Sequence, residues 1–506
     1  MEPVDRHPLT PDLSFDGGDL DCGNGLLLLI RQHMDRLDRG GLLEFRSTEI
    51  SVDEDFPAWC RLTSNELVSF VKRGQERSFL VCKGSLAERV PMTAPPRQPG
   101  TMGRPVVEVH IPTTLPRPAA APAIRPLSVM GIGSWPRPRW MLQAIHQHLE
   151  GRLSDADFTA TAEDATRLAV QAQVRAGVDV VTDGEQRRDN YASFVGGLLD
   201  NCQLIPLTDL LPLVDDPEEF AAELRSLDVP AAEVRHPAIL GPIGRSRPLG
   251  VHELTFARTL TERPVKVALP GPYLLTRIMW MECISDRVYR SREELAEDVV
   301  RVLREELHFL MAAGAALVQL DEPVLSEVVF AGAKSRRSFM CGALSEKGEA
   351  GPELGFARTL INRVVAGLPR ERLGLHICRG NWTRDEAAAL AGDYRPLLAL
   401  LEQVEVGTLF LELATPRAGE MTLLKALPSD RRIGVGVVNQ KLDVVEPVAE
   451  IVARGRRAIE IFGPERVLLT PDCGFATFAD NPVAAPNVAE AKLRAIAEAA
   501  EILGKG

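Results

Sequence analysis

Gly374-Leu375-His376-Ile377-Cys378-Arg379-Gly380-Asn381-Trp382 decides how this chain reads, because it ends an apolar run with a nitrogen and a sulfur donor one residue apart. Residues i and i+2 of a β-strand face the same side, so His376 and Cys378 can reach one metal ion from a strand end. Two later runs end the same way. Leu409-Phe410-Leu411-Glu412-Leu413 supplies a carboxylate and Thr470-Pro471-Asp472-Cys473-Gly474-Phe475 a second thiol, each after a short apolar strand and before helical sequence. An isolated His-x-Cys pair reads as a core histidine beside a buried thiol. Three such positions in succession favour a metal site, and one nitrogen, one carboxylate and two thiolates make a tetrahedral set suited to Zn2+.

On either side of that stretch, short apolar strands alternate with longer amphipathic helices. The strand candidates are Leu127 to Met130, Val178 to Val181, Val265 to Leu269, Ala316 to Leu320, Leu373 to Ile377, Thr408 to Glu412, Ile433 to Val437 and Val467 to Leu469. The pattern predicts an α/β fold, a (β/α)8 TIM-type barrel over residues 126–506, with its active site at the C-terminal ends of the strands. Further polar clusters fall at those ends. Gly131-Ile132-Gly133-Ser134-Trp135-Pro136 can offer backbone N–H groups to a carboxylate, while Glu185, in Asp183-Gly184-Glu185, and Asp321, in Asp321-Glu322-Pro323, can hold an ammonium. Taken singly, either carboxylate reads as a helix N-cap or an arginine partner.

Residues 1–85 read as a separate small two-layer unit of order βαβαββ, with Cys22 at the start of its first helix, where a thiol's pKa is depressed. Residues 86–125 form a Pro-rich linker: ten prolines lie between Pro91 and Pro126. Within it, Val106-Val107-Glu108-Val109-His110-Ile111 is strand-like and can pack on either neighbour.

The 506 residues carry 45% hydrophobic and 25% charged side chains, enough for a sizeable core, and a formal charge of −12 argues against nucleic acid or an anionic membrane as partner. Eight irregularly spaced cysteines and a start without a basic or apolar signal segment predict a cytoplasmic protein with reduced thiols and no membrane span.

With these motifs in hand, residues from about 126 to 506 resemble the catalytic barrel of cobalamin-independent methionine synthase. The resemblance rests on Ile132 to Pro136, Asp183-Gly184-Glu185, Asp321-Glu322-Pro323, His376-Ile377-Cys378, Glu412 and Pro471-Asp472-Cys473-Gly474. It implies His376, Cys378, Glu412 and Cys473 as zinc ligands, Glu185 and Asp321 at the homocysteine amino group, and Gly133 and Ser134 near its carboxylate. The full-length synthase has a second, N-terminal barrel that helps to hold folate, and this chain does not. Where that family has a histidine after the seventh strand, this chain reads Gly436-Val437-Val438-Asn439-Gln440-Lys441.

Residues of about 10–85 resemble the TusA-like sulfurtransferases, although Leu20-Asp21-Cys22-Gly23-Asn24-Gly25 has glycines for both prolines of that family's Cys-Pro-x-Pro motif. Together the resemblances imply a zinc-dependent methyltransferase acting on a thiol, homocysteine first, with methylfolate or a methylcorrinoid protein as donor. The alternatives are carbon–sulfur bond formation with persulfide sulfur delivered through Cys22 by a sulfur-relay partner, alkyl transfer to another thiol, and a binding protein on degenerate scaffolds.

Overall fold

The computed structural model describes residues 4, 6–18, 26–34, 37–74, 76–89, 106–149, 151–206, 235–280, 288–330, 348–381, 384, 386, 389–480 and 482–505. Cys22 lies outside them.

The small N-terminal unit runs β1 (Leu13–Asp16), a helix (Leu27–Met34), β2 (Leu42–Ser47), a helix (Val52–Leu62), β3 (Glu66–Arg73) and β4 (Glu76–Cys82). Its sheet has the order β1-β2-β4-β3, with β1 parallel to β2 and the other pairs antiparallel. Aromatic rings fill the space under the helices: Phe45 lies 4.7 Å from Phe56 and 5.1 Å from Phe79, and all three are fully buried or nearly so. The unit therefore has a hydrophobic core of its own.

The larger region begins its regular sheet at β7 (Lys266–Pro270) and continues through β8 (Leu317–Asp321), β9 (Leu373–Ile377), β10 (Thr408–Leu411), β11 (Arg432–Val438) and β12 (Val467–Pro471), all parallel and adjacent in chain order. Two bridge-length strands close the ring. Val129 pairs with Leu469, Met130 with Val180, and Val181 with Val265, each in parallel, so eight strand positions run round a barrel. Most strand residues are buried because helices cover the outside and side chains fill the inside. Inside, Met130, Ile132, Val180, Leu317, Phe410 and Leu468 pack together. Gly374 and Gly434 flank the Phe410 ring, and a Cβ at either would collide with it.

An element that the sequence pattern did not reveal is an antiparallel hairpin, β5 (Asp200–Pro206) with β6 (Arg235–Gly244). Pro237, Gly241, Pro242 and Gly244 interrupt the alternation by which a strand is recognised, and a two-stranded ribbon tolerates such breaks. Residues from 106 are held by this hairpin and by the barrel. Val107 N–H donates to Asn201 Oδ1 at 2.9 Å, Ala119 N–H to Met311 O at 3.1 Å, and Arg372 reaches Ala119 O at 2.6 Å. This part of the Pro-rich stretch is thus fastened to its C-terminal neighbour. Among the described residues, no helix is long and apolar enough to cross a membrane.

Candidate metal and substrate site

Parallel strands deliver their last residues to one rim, and register decides which of them meet. Asp321 pairs with His376 across β8 and β9, and Phe410 with His376 across β9 and β10. One ligand atom each from His376, Cys378 and Cys473 lies within 4.8 Å of the others, and all three residues are buried. His376 Nδ1 is 2.9 Å from Asp321 Oδ1, while Nε2 is buried with no hydrogen-bond partner. Because a carboxylate only accepts, the imidazole carries its proton on Nδ1 and leaves the Nε2 lone pair open. This carboxylate–histidine arrangement orients an imidazole for a metal.

The thiols respond to one another. Cys378 is pulled down to about 7, chiefly by a hydrogen bond from Cys473 and, against burial, by nearby His376. Cys473 is pushed up by the same hydrogen bond and by burial. The backbones that carry these groups are tied down too. Ser326 Oγ donates to Cys378 O at 2.7 Å, and Asn381 Nδ2 donates to Gly474 O at 2.7 Å, joining the two thiol loops.

Glu412 is not brought into this set. Its Oε1 accepts from Arg417 Nε at 2.7 Å and its Oε2 from Arg379 N–H at 3.0 Å, contacts that also tie down the loop after Cys378. The pattern of a polar residue closing an apolar strand cannot distinguish a ligand from an anchor, because Arg417 lies outside the strand motif. Asp472, beside Cys473, accepts Leu413 and Ala414 N–H at 2.9 Å each and so fixes the next loop. Lys441, in the segment after β11, is buried; burial and neighbouring Arg417 lower its pKa.

The same pocket is lined by Gly133, Ser134, Glu185 and Asp321, together with Tyr191, Asn381 and Phe478. Glu185 is unusual in three ways. Its φ of 55° is in the left-handed region, which non-glycine residues rarely adopt. Arg137 clamps its carbonyl at 2.7 Å. Its side chain is buried with Oε2 unpartnered, and burial pushes its pKa up to about 7 in spite of Arg188, whose nearest nitrogen is 4.0 Å from Oε1. Arg188 itself is committed to Glu253 at 2.6 Å. A Cβ at Gly133 would push into Glu185 Oε1 and one at Gly474 into Ser134 Oγ, so the two glycines leave room for these side chains in their present positions. Ser134 Oγ accepts from Ala476 N–H at 3.2 Å, which pins the first rim loop to the last.

A parallel α/β barrel whose C-terminal rim gathers an imidazole, two thiols and an unpaired carboxylate oxygen defines a barrel enzyme with a candidate metal site. The chain belongs to the family described as cobalamin-independent synthase, catalytic domain, which matches residues 127–209, 219–348 and 361–501. Among curated relatives, methionine synthase of Saccharolobus solfataricus is 27% identical over 347 residues, covering 68% of this chain and 86% of that protein. Methionine synthase of Sulfolobus acidocaldarius is 28% identical over 347 residues, covering 68% and 84%. In fold, the chain is similar to a B12-independent methionine synthase from Shewanella sp. W3-18-1 in complex with selenomethionine, with a TM-score of 0.56 and 22% identity over 75% of this chain and 98% of that one. The family match begins at residue 127, beyond the small N-terminal unit.

Proposed function

We propose that the chain is a zinc-dependent methyltransferase that places a methyl group on the thiol of homocysteine to give methionine. One observation carries this reading: an imidazole nitrogen and two thiols converge within 4.8 Å in the pocket that also holds the unpartnered Glu185 carboxylate oxygen. The names of the curated relatives agree with it.

His376, Cys378 and Cys473 would hold the ion, and this donor set fits zinc by its softness and by the orphaned Nε2. Bound there, zinc supplies the Lewis acidity that keeps a substrate thiol deprotonated at neutral pH. The chain's own residues do the rest. Asp321 orients His376, Glu185 and Asp321 receive the substrate ammonium, and the backbone at Gly133 and Ser134 faces its carboxylate. An amino acid fastened at both charged ends presents its sulfur in one direction, which reduces the entropy lost on reaching an in-line geometry with a methyl group. Glu412 keeps its arginine partner and shapes the loop that carries Cys378.

The test combines metal analysis with methionine formation from homocysteine, with methylfolate and a methylcorrinoid protein offered side by side. The expected result is about one zinc per chain, as for a three-ligand catalytic site, and methionine from at least one donor. A zinc-loaded protein that makes no methionine from either donor overturns the reading, as does a protein that binds no zinc.

A further inference from the structure

Beneath the pocket, the barrel interior contains a line of buried polar groups to which the mechanism above gives no task. Lys266 Nζ donates to Gln319 Oε1 at 2.7 Å, and Gln319 Nε2 donates to Asp321 Oδ1 at 2.7 Å. That same Oδ1 takes the His376 Nδ1 proton at 2.9 Å. Lys266 and Gln319 are fully buried, in a barrel whose neighbouring interior layer is Leu317, Phe410 and Leu468.

The line has only one polarity. An amine nitrogen at this position donates, and a carboxylate oxygen only accepts, so the Gln319 amide must turn its oxygen to Lys266 and its nitrogen to Asp321. The direction then passes on: Asp321 Oδ1 is fixed as acceptor, the imidazole keeps its proton on Nδ1, and Nε2 is left with its lone pair. Apolar residues would fill this interior at lower cost than an amine and an amide that need each other as partners. Lys266 is steadied further by the Phe410 ring, whose centroid is 4.5 Å from Nζ.

We propose that Lys266 and Gln319 are positioning residues that hold Asp321 for two tasks at once: Oδ1 sets the metal-binding tautomer of His376, and Oδ2 stays available for the substrate ammonium. This inference rests on the zinc and homocysteine reading above.

The test uses the full chain with Lys266→Met and Gln319→Leu combined, and with Gln319→Met alone. Replacing both partners together leaves no buried polar group stranded, so the double variant is expected to fold with stability equal to or above that of the unaltered chain. Zinc affinity, read by competition with a chromophoric chelator, is expected to fall roughly 10- to 100-fold in both variants, as for loss of a group that orients a metal ligand. On zinc-loaded protein, homocysteine binding should weaken more than binding of a simple alkyl thiol. Stability and metal affinity thus move in different directions, which a packing role would not produce. The inference is overturned if zinc affinity stays within about twofold of the unaltered chain in whichever of these variants folds. An unaltered chain that binds no zinc defeats the underlying site reading instead, and this inference with it.

Discussion

Glu185 and Glu412 stand at the same rim of the barrel, after its second strand and after β10, and are 3% and 1% exposed. Their surroundings are opposite. Glu412 has an arginine side chain on one oxygen and a backbone N–H on the other. Glu185 has a bare buried oxygen, a backbone in the left-handed region, and a neighbouring arginine already engaged by Glu253. Both oxygens of Glu412 have partners within the protein, whereas Glu185 is short of a partner on left-handed backbone, which is why the proposed function gives Glu185 to the ligand. The sequence pattern treats the two alike, and only their partners separate them.

The largest expected effect lies at the thiols that both carboxylates flank. Cys378→Ser combined with Cys473→Ser should abolish zinc binding while leaving a cooperative thermal transition, because the barrel has its own extensive core and does not depend on a metal to fold. Metal analysis checks the first part and calorimetry the second; full zinc occupancy in that variant would remove the ligand assignment.

Glu185→Gln comes next, and it should have two signatures. Binding of an aminothiol should weaken roughly tenfold to a hundredfold, the worth of a charge-assisted contact to an ammonium, with a simple alkyl thiol little affected. Stability without ligand should move the other way. Burial raises this carboxyl from 4.5 to about 7, so the folded state disfavours its charged form. The ligand-free protein therefore loses stability as pH rises from about 4.5 to about 7, a loss on the order of 3 kcal/mol above that window. Asp183 and Asp189, raised by burial to about 6, share that window, so Glu185→Gln should reduce the slope and raise the melting temperature at pH 8. Equal weakening of both thiol types, or an unchanged slope, would mean that Glu185 is as structural as Glu412.

Much of the architecture was legible in the sequence because strand periodicity and rim chemistry are local. The runs at 265–269, 316–320, 373–377 and 408–412 coincide with β7 to β10 within a residue, and His376, Cys378 and Cys473 emerge from strand ends as their spacing requires. What stayed hidden depends on which side chains the folded loops and strands bring together. Arg417 lies only five residues beyond Glu412, but no strand or helix period predicts that the loop turns its guanidinium back onto that carboxylate. Lys266 and Gln319 come from neighbouring strands far apart in the chain, so no window of sequence contains both. The β5–β6 hairpin was hidden by its own prolines and glycines.

Glu412→Gln sharpens the comparison from its other side. An amide there keeps an acceptor for Arg379 N–H but loses the charge opposite Arg417, whose remaining carboxylate is Glu386 at 3.4 Å. Stability should fall by about 1–3 kcal/mol, the usual cost of weakening a charge-assisted hydrogen bond, with zinc occupancy unchanged. Loss of zinc with unchanged stability would make Glu412 a ligand after all.

The smallest effect is expected from deleting residues 1–105. Both rim carboxylates, the three proposed metal ligands and, among the described residues, every one that lines their pocket lie after residue 126, and the small unit closes its own core around Phe45, Phe56 and Phe79. The cut must spare residues 106–125, since Val107 pairs with Asn201 and the backbone at Ala119 is bonded by Arg372 and Met311. The shortened chain should bind zinc and methylate homocysteine at the rate of the full chain, whereas removal of residues 1–125 should lower the melting temperature by uncovering those polar groups. If sulfur passes through Cys22, the 1–105 deletion and Cys22→Ser should both stop product formation from a persulfide donor while methylation of a supplied thiol continues. Loss of that methylation with zinc still bound would instead show that the small unit completes the pocket, and the contrast between Glu185 and Glu412 would then have to be redrawn with its residues included.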